Sequence, residues 1–119
     1  MGKSQYEEYI RRDFQLKDHP HLDDVEFPVL AMKTLEDYGN HGCALSWWPI
    51  SKPFYMVTDT HAHDFDQYLM FVGGDLTNMT DLGGEVELTI GWPGKELETI
   101  TFTKATTFYV PAGMLHGPL

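Results

Sequence analysis

Thr60-His61-Ala62-His63-Asp64-Phe65-Asp66-Gln67 is the stretch on which the reading of this chain turns, together with a distant answering segment, Pro111-Ala112-Gly113-Met114-Leu115-His116. In an extended segment, side chains two apart leave the same face, so His61 and His63 point the same way. The turn-prone Asp64-Phe65-Asp66 leads into Gln67-Tyr68-Leu69-Met70-Phe71-Val72, an apolar run of strand composition. Gln67 opens that run with its amide oxygen facing the two imidazoles. His116 follows a Pro-x-Gly turn that closes a second strand-like run, 106–110. Three imidazoles and an amide oxygen suit one divalent first-row metal ion. Iron, manganese, nickel, cobalt and zinc all accept that donor set, and affinity order does not choose among them.

His-x-His pairs also arise on exposed strands and loops. His19-Pro20-His21 lies in the polar, proline-broken segment Asp18 to Asp24 and reads as part of a solvated linker. What separates the second pair is its context. His61, His63, Gln67 and Gly74, followed by Pro111, Gly113 and His116, spell His-x-His-x3-Gln-x6-Gly and then Pro-x-Gly-x2-His. This order resembles the paired motifs of the cupin superfamily, over about the C-terminal half of the chain.

The resemblance implies an all-β fold of the double-stranded β-helix type, a jelly-roll barrel with a metal at its mouth. On it, His61, His63 and His116 are ligands. Gln67 is either a fourth ligand or a hydrogen-bonding residue behind them. The chain departs from the family pattern in four places. Gln67 stands where Glu is usual, Ala105 stands where the second motif begins with Gly, and the stretch between the motifs is long. Barrels of this kind also continue with further strands beyond the second motif, whereas only Gly117-Pro118-Leu119 follow His116. The barrel is then completed by N-terminal strands or by a second subunit, or the chain is a piece of a longer one.

At 119 residues the expectation is a single domain, with 1–26 a helix and linker extension and 27–119 the barrel. A 42% hydrophobic and 13% aromatic content is that of a globular chain. Eighteen acidic residues against eight basic ones give a net charge of −10, which argues against nucleic acid or anionic membrane as partners. A lone Cys43 excludes an intrachain disulfide, and its apolar neighbours predict a buried, inert thiol. The N-terminus lacks the apolar core of a signal peptide and no run reaches transmembrane length, so a cytoplasmic protein is the expectation.

Along the chain, Ser4 and Glu7 form a capping-box pattern, and Tyr6, Tyr9, Ile10 and Phe14 share a face at helical spacing. A short amphipathic helix is expected over 4–14, packed on the barrel or on a second subunit. Strands are expected over 27–32, 43–48, 54–63, 67–72, 85–90, 96–103 and 106–110. Turns are expected at Tyr38–Gly42, which makes His41 an exposed turn histidine, and at Trp92–Gly94. Asp75–Gly84 reads as a surface loop. Parity along 54–63 places Tyr55, Val57 and Asp59 on the face of His61 and His63, with Tyr55 and Val57 lining the barrel interior.

Three neutral imidazoles and a neutral amide leave a metal's double positive charge uncompensated, which favours an anionic bidentate ligand. The expected function is a metal-dependent enzyme acting on a small organic acid or an enol or diketone. Dioxygenase, isomerase, decarboxylase and lyase chemistry all stay open. Asp59, Tyr55 and Asp64 are the candidate acid/base groups, each weighed against a packing or solvated role. The rival is a non-catalytic module that binds or senses a small molecule, for which a fused DNA-binding domain would speak. No nucleophile-elbow sequence supports Ser-His-Asp chemistry. Open strand edges, with the N-terminal helix, Trp47 and Trp48 available to cover them, lead to a homodimer as the expected assembly.

Overall fold

The computed structural model describes residues 4–33 and 43–119. The expected turn at Tyr38–Gly42, with His41, lies outside the described residues. The described chain is an all-β arrangement of small antiparallel sheets with almost no helix. It divides into two compact units, Met1–Phe54 and Tyr55–Leu119.

In the first unit, β1 (Leu30–Lys33) pairs antiparallel with β2 (Ala44–Trp47), Leu30 opposite Trp47. Gln15 bridges the other edge of β1 at Leu30, where Leu16 N–H donates to Val29 O and Ala31 N–H to Phe14 O, both at 2.8 Å. Val29, sealed at 1% exposure, anchors this unit. The expected helix over 4–14 is instead one 3-10 turn, Glu7–Tyr9. The capping box does not form. Ser4 Oγ accepts from Tyr6 N–H at 3.1 Å, two residues on. The Glu7 carboxylate turns forward to Arg12 at 2.9 Å instead of back to Ser4. Ile10 is then extended, at φ −124° and ψ 129°, so the helix stops after a single turn and leaves Tyr6 and Tyr9 exposed. Cys43 is exposed as well, against the buried thiol expected.

The second unit holds five strands. β3 (Gln67–Phe71) pairs antiparallel with β6 (Thr106–Val110), in register from Gln67–Val110 to Phe71–Thr106. β4 (Asp81–Gly91) is flanked by β5 (Glu98–Lys104) on one side and β7 (Leu115–His116) on the other. Phe71, Phe108 and Phe102 pack in mutually angled ring contacts at 5.0–6.1 Å and join the two sheets. Leu88 and Val110 are sealed, at 1% and 2% exposure. Val86, Leu88 and Ile90 face inward, as their alternation predicts. β4 begins earlier than expected because Asp81 already pairs with Lys104. An irregularity between Asp81 and Val86 carries Gly83 at φ +71°, so the last four residues of the expected surface loop, 81–84, belong to a bulged strand, while 75–80 are exposed and lie in turns as expected.

The expected strand 54–63 is not regular. His61 makes an isolated bridge to His116, and the residues before it pair with the chain end. Met56 and Val57 N–H groups donate to Leu119 O at 3.0 and 3.4 Å, and Leu119 N–H returns to Val57 O at 2.9 Å. Tyr55 is 71% exposed and lines no interior, while Val57 is half-buried.

Gly117 lets the C-terminal segment pass. Its φ is +100°, and a Cβ there would stand 2.6 Å from the Asp59 carbonyl oxygen and 2.8 Å from Val57 Cγ1. Gly94 shares a positive φ, +77°, but has open space around it. Gly94→Ala therefore isolates the cost of left-handed backbone, about 1–2 kcal/mol. Gly117→Ala adds a collision with backbone that cannot rotate away, and should cost about 3 kcal/mol or more. Urea unfolding of both variants measures the difference, and equal losses would contradict the close-approach argument.

Candidate metal centre

The site is assembled by backbone pairing before any side chain is considered. His61 N–H donates to His116 O at 3.0 Å and His116 N–H donates to His61 O at 2.8 Å, the double exchange of a hydrogen-bonded antiparallel pair. On its other side His116 is opposite Ile90 of β4. Gly117 N–H donates to Thr89 O at 2.8 Å, and Thr60 Oγ1 donates to Gly117 O at 2.9 Å. His116 is therefore held between two neighbours, and only 5% of it is exposed. His63 joins from the loop after the bridge, where its carbonyl accepts from Gly113 N–H at 2.8 Å.

Each of the three histidines offers a ligand nitrogen, and these nitrogens all lie within 4.8 Å of one another. Ring centroids are 4.9 Å apart for His61–His63, 4.2 Å for His61–His116 and 5.0 Å for His63–His116. His61 Nδ1 lies 3.3 Å from Asp59 O, and His116 Nδ1 lies 3.4 Å from Met114 O. A proton at Nδ1 directed to each carbonyl leaves Nε2 with its lone pair, the tautomer a metal ligand needs. His116 titrates below the ordinary histidine range. Burial is the main cause, the Met114 carbonyl works against it, and His61 and His63 lower it further. The His116 ring is thus biased towards its neutral form, which can bind a cation.

Gln67 heads β3 on its inward side, opposite Val110. Its Oε1 is buried and has no hydrogen-bond partner among the described residues. Leaving such an acceptor unmatched costs about 1–3 kcal/mol, so a buried orphan calls for a partner that the described residues do not supply. Three imidazole nitrogens this close form a donor set that fits a divalent first-row ion, and the Gln67 amide oxygen is of the right chemistry for a fourth donor.

The candidate acid/base groups fare differently. Asp59, Tyr55 and Asp64 are all exposed, and among the described residues none of the carboxylates joins the three-histidine group. Asp59 contributes its backbone carbonyl instead. Among the described residues, His19 and His21 belong to no second metal-capable cluster. His19 Nδ1 accepts from His21 N–H at 3.1 Å, His21 pairs with Asp24 at 3.0 Å, and His19 packs edge-on to Trp48. The expected solvated linker is a braced turn.

Sequence reasoning passed over Asp66. Its Oδ1 accepts from Ala112 N–H at 2.9 Å and so fastens the loop carrying His63 to the turn before His116. The Tyr109 phenol is held above its ordinary range, first by partial burial and then by the Asp66 carboxylate, which also accepts its hydrogen bond. An aspartate just outside a strand is a usual acceptor for turn N–H groups, and that was the available signal.

No protein-family model, curated protein or solved structure matches the chain.

If Asp66 fastens the two halves of the site, Asp66→Ala should weaken zinc binding about tenfold, as loss of outer contacts to metal ligands does. Asp66→Asn retains an acceptor oxygen for Ala112 N–H and should keep most of the affinity. Competition against a chromophoric chelator reads both, and equal losses in the two variants would remove the fastening role.

Proposed function

We propose that the chain is a mononuclear metal-binding protein of the cupin type, a metal-dependent enzyme for a small organic acid or an enol or diketone. The observation that carries this reading is the convergence of His61, His63 and His116, with a ligand nitrogen from each inside 4.8 Å. The buried, unmatched Gln67 Oε1 supports a fourth donor, and the quoted motif spacing supports the jelly-roll assignment. Iron, manganese, nickel, cobalt or zinc would be held by His61, His63 and His116 with Gln67. When bound, such an ion supplies positive charge that draws in and polarises the oxygens of an anionic ligand.

The chain's own residues then decide what is bound. Because no carboxylate among the described residues joins the group, nothing in that donor set neutralises the ion, and a site of net positive charge sits in a chain of net charge −10. A neutral ligand gains least from that arrangement. A small chelating monoanion or dianion gains most. Long-range repulsion by the acidic surface disfavours large polyanions, in keeping with a small-molecule partner and with no role for nucleic acid or anionic membrane. Among the described residues no helix is long and apolar enough to cross a membrane.

Metal analysis of purified protein tests the site. Wild type should carry one ion per chain, and His61→Ala and His116→Ala should lose it; equal content in all three would end the assignment. Gln67→Glu tests the fourth donor. It adds one negative charge, so zinc should bind as tightly or more tightly while oxalate, titrated at full metal loading, should bind about tenfold more weakly. Unchanged oxalate affinity at full occupancy would exclude Gln67 as a ligand.

Self-association belongs to the same proposal. Apolar surface is available for it, with Tyr9, Leu45 and Trp47 more than half exposed. Sedimentation equilibrium at tens of micromolar, an order-of-magnitude working range for mass-action assembly, should give a dimer mass. A monomer throughout that range would refute it.

A further inference from the structure

We propose that Phe65 is a positioning residue for His63: its ring fixes the one imidazole of the triad that the backbone leaves free to turn. The inference rests on the metal site proposed above. Its starting point is an asymmetry among the three histidines. His61 and His116 each have Nδ1 near a backbone carbonyl two residues back, at 3.3 and 3.4 Å, so main chain orients both rings. His63 has no ring hydrogen bond among the described residues. Apart from the other two imidazoles, which meet it at an angle, the ring against it is Phe65, with centroids 4.6 Å apart and planes inclined by only 11°.

That contact acts on the one degree of freedom left open. The His63 carbonyl is already fastened to Gly113 N–H at 2.8 Å, and the Asp66 carboxylate to Ala112 N–H at 2.9 Å. The backbone of the loop is thus held at both sides of Phe65, and what remains is rotation of the His63 side chain. A parallel ring at stacking distance restricts that rotation while leaving the imidazole edge, with both nitrogens, clear. Core packing does not account for Phe65, which is 56% exposed. A phenyl ring left more than half in water has little burial to gain at this position. Its close, parallel approach to a ligand ring is the contact that distinguishes it.

The test needs no turnover. In the metal-free protein, the His63 ring protons should show the upfield NMR shift that a stacked aromatic ring produces. Phe65→Ala should abolish that shift and Phe65→Tyr should keep it. Zinc affinity, by competition with a chromophoric chelator, should fall about three- to tenfold in Phe65→Ala, the range a stacked ring pair supports, and should be restored in Phe65→Tyr. The cobalt(II) visible spectrum should change in Phe65→Ala alone. A double-mutant cycle supplies the sharpest reading: in a His63→Ala background, Phe65→Ala should no longer alter zinc affinity. The same loss in both backgrounds would show that Phe65 acts by another route and would overturn the proposal, as would full zinc affinity in Phe65→Ala. If the wild type itself binds no zinc in a His61- and His116-dependent way, the metal site falls and the proposal with it. If the wild type binds and only the Phe65 results fail, the metal site stands without it.

Discussion

The reciprocal pairing of His61 with His116 is the constraint on which the C-terminal unit depends. Residues opposed in a hydrogen-bonded antiparallel pair have Cα atoms about 5.5 Å apart and side chains on one side of the ladder. Two imidazoles in such a pair must be neighbours whatever rotamers they choose within the same well. Closing so long a loop is entropically costly, and two hydrogen bonds alone do not offset it. The closure is shared instead with Thr60 on Gly117, with Val57 and Met56 on Leu119, and with Thr89 on Gly117 and Pro118. The C-terminal segment thus lies between the residues leading to His61 and strand β4. A side chain at Gly117 would collide with Asp59 and Val57 in that passage, which is why the residue after the last histidine has none.

Polarity tells a consistent story. An imidazole at 5% exposure and an amide oxygen with no partner both belong to this unit, whose sealed apolar core amounts, among the described residues, to Leu88 and Val110. Burial shifts His116 towards its neutral form, so the same desolvation that makes the group expensive also leaves it able to bind a cation. Neutral nitrogen and amide oxygen are donors to a cation and contribute no charge of their own. The unmatched oxygen and the buried imidazole each carry a desolvation cost, and on the proposed reading a bound cation would offset both.

How much of this could be read from residues alone depended on how local the cause was. Strands β3 and β6 were legible because both are short apolar runs ended by glycine or proline, and β4 because Val86, Leu88 and Ile90 alternate. β7 was not, since two residues, Leu115 and His116, carry no period; their strand character comes from Ile90 and Gly91 opposite them. The front of β4 was hidden by Gly83 and Gly84, which are turn formers that here serve a bulge. At the N-terminus the Ser4 and Glu7 pattern suggested a helix, but Arg12 drew the carboxylate forward and the chain became extended at Ile10. The three histidines were found by spacing together with motif order, whereas Asp66 and Phe65 were not, because what they do is defined by Ala112 and by the His63 ring.

His61, His63 and His116 do lie together, but not through the parity of a strand. Residues 54–63 do not form a strand whose alternate side chains line up; His61 is set by a bridge and His63 by a loop. Nothing in the geometry of a loop requires its side chains to converge, so convergence there has to be enforced by particular contacts. Gly113 on the His63 carbonyl, Asp66 on Ala112 and Phe65 on the His63 ring are three such contacts within four residues of the loop. Their concentration is what a site held partly by irregular backbone requires. The ladder orders two of the histidines through main-chain hydrogen bonds, and the third is ordered contact by contact, through one main-chain bond from Gly113 and two side chains, Asp66 and Phe65, that lie largely in solvent.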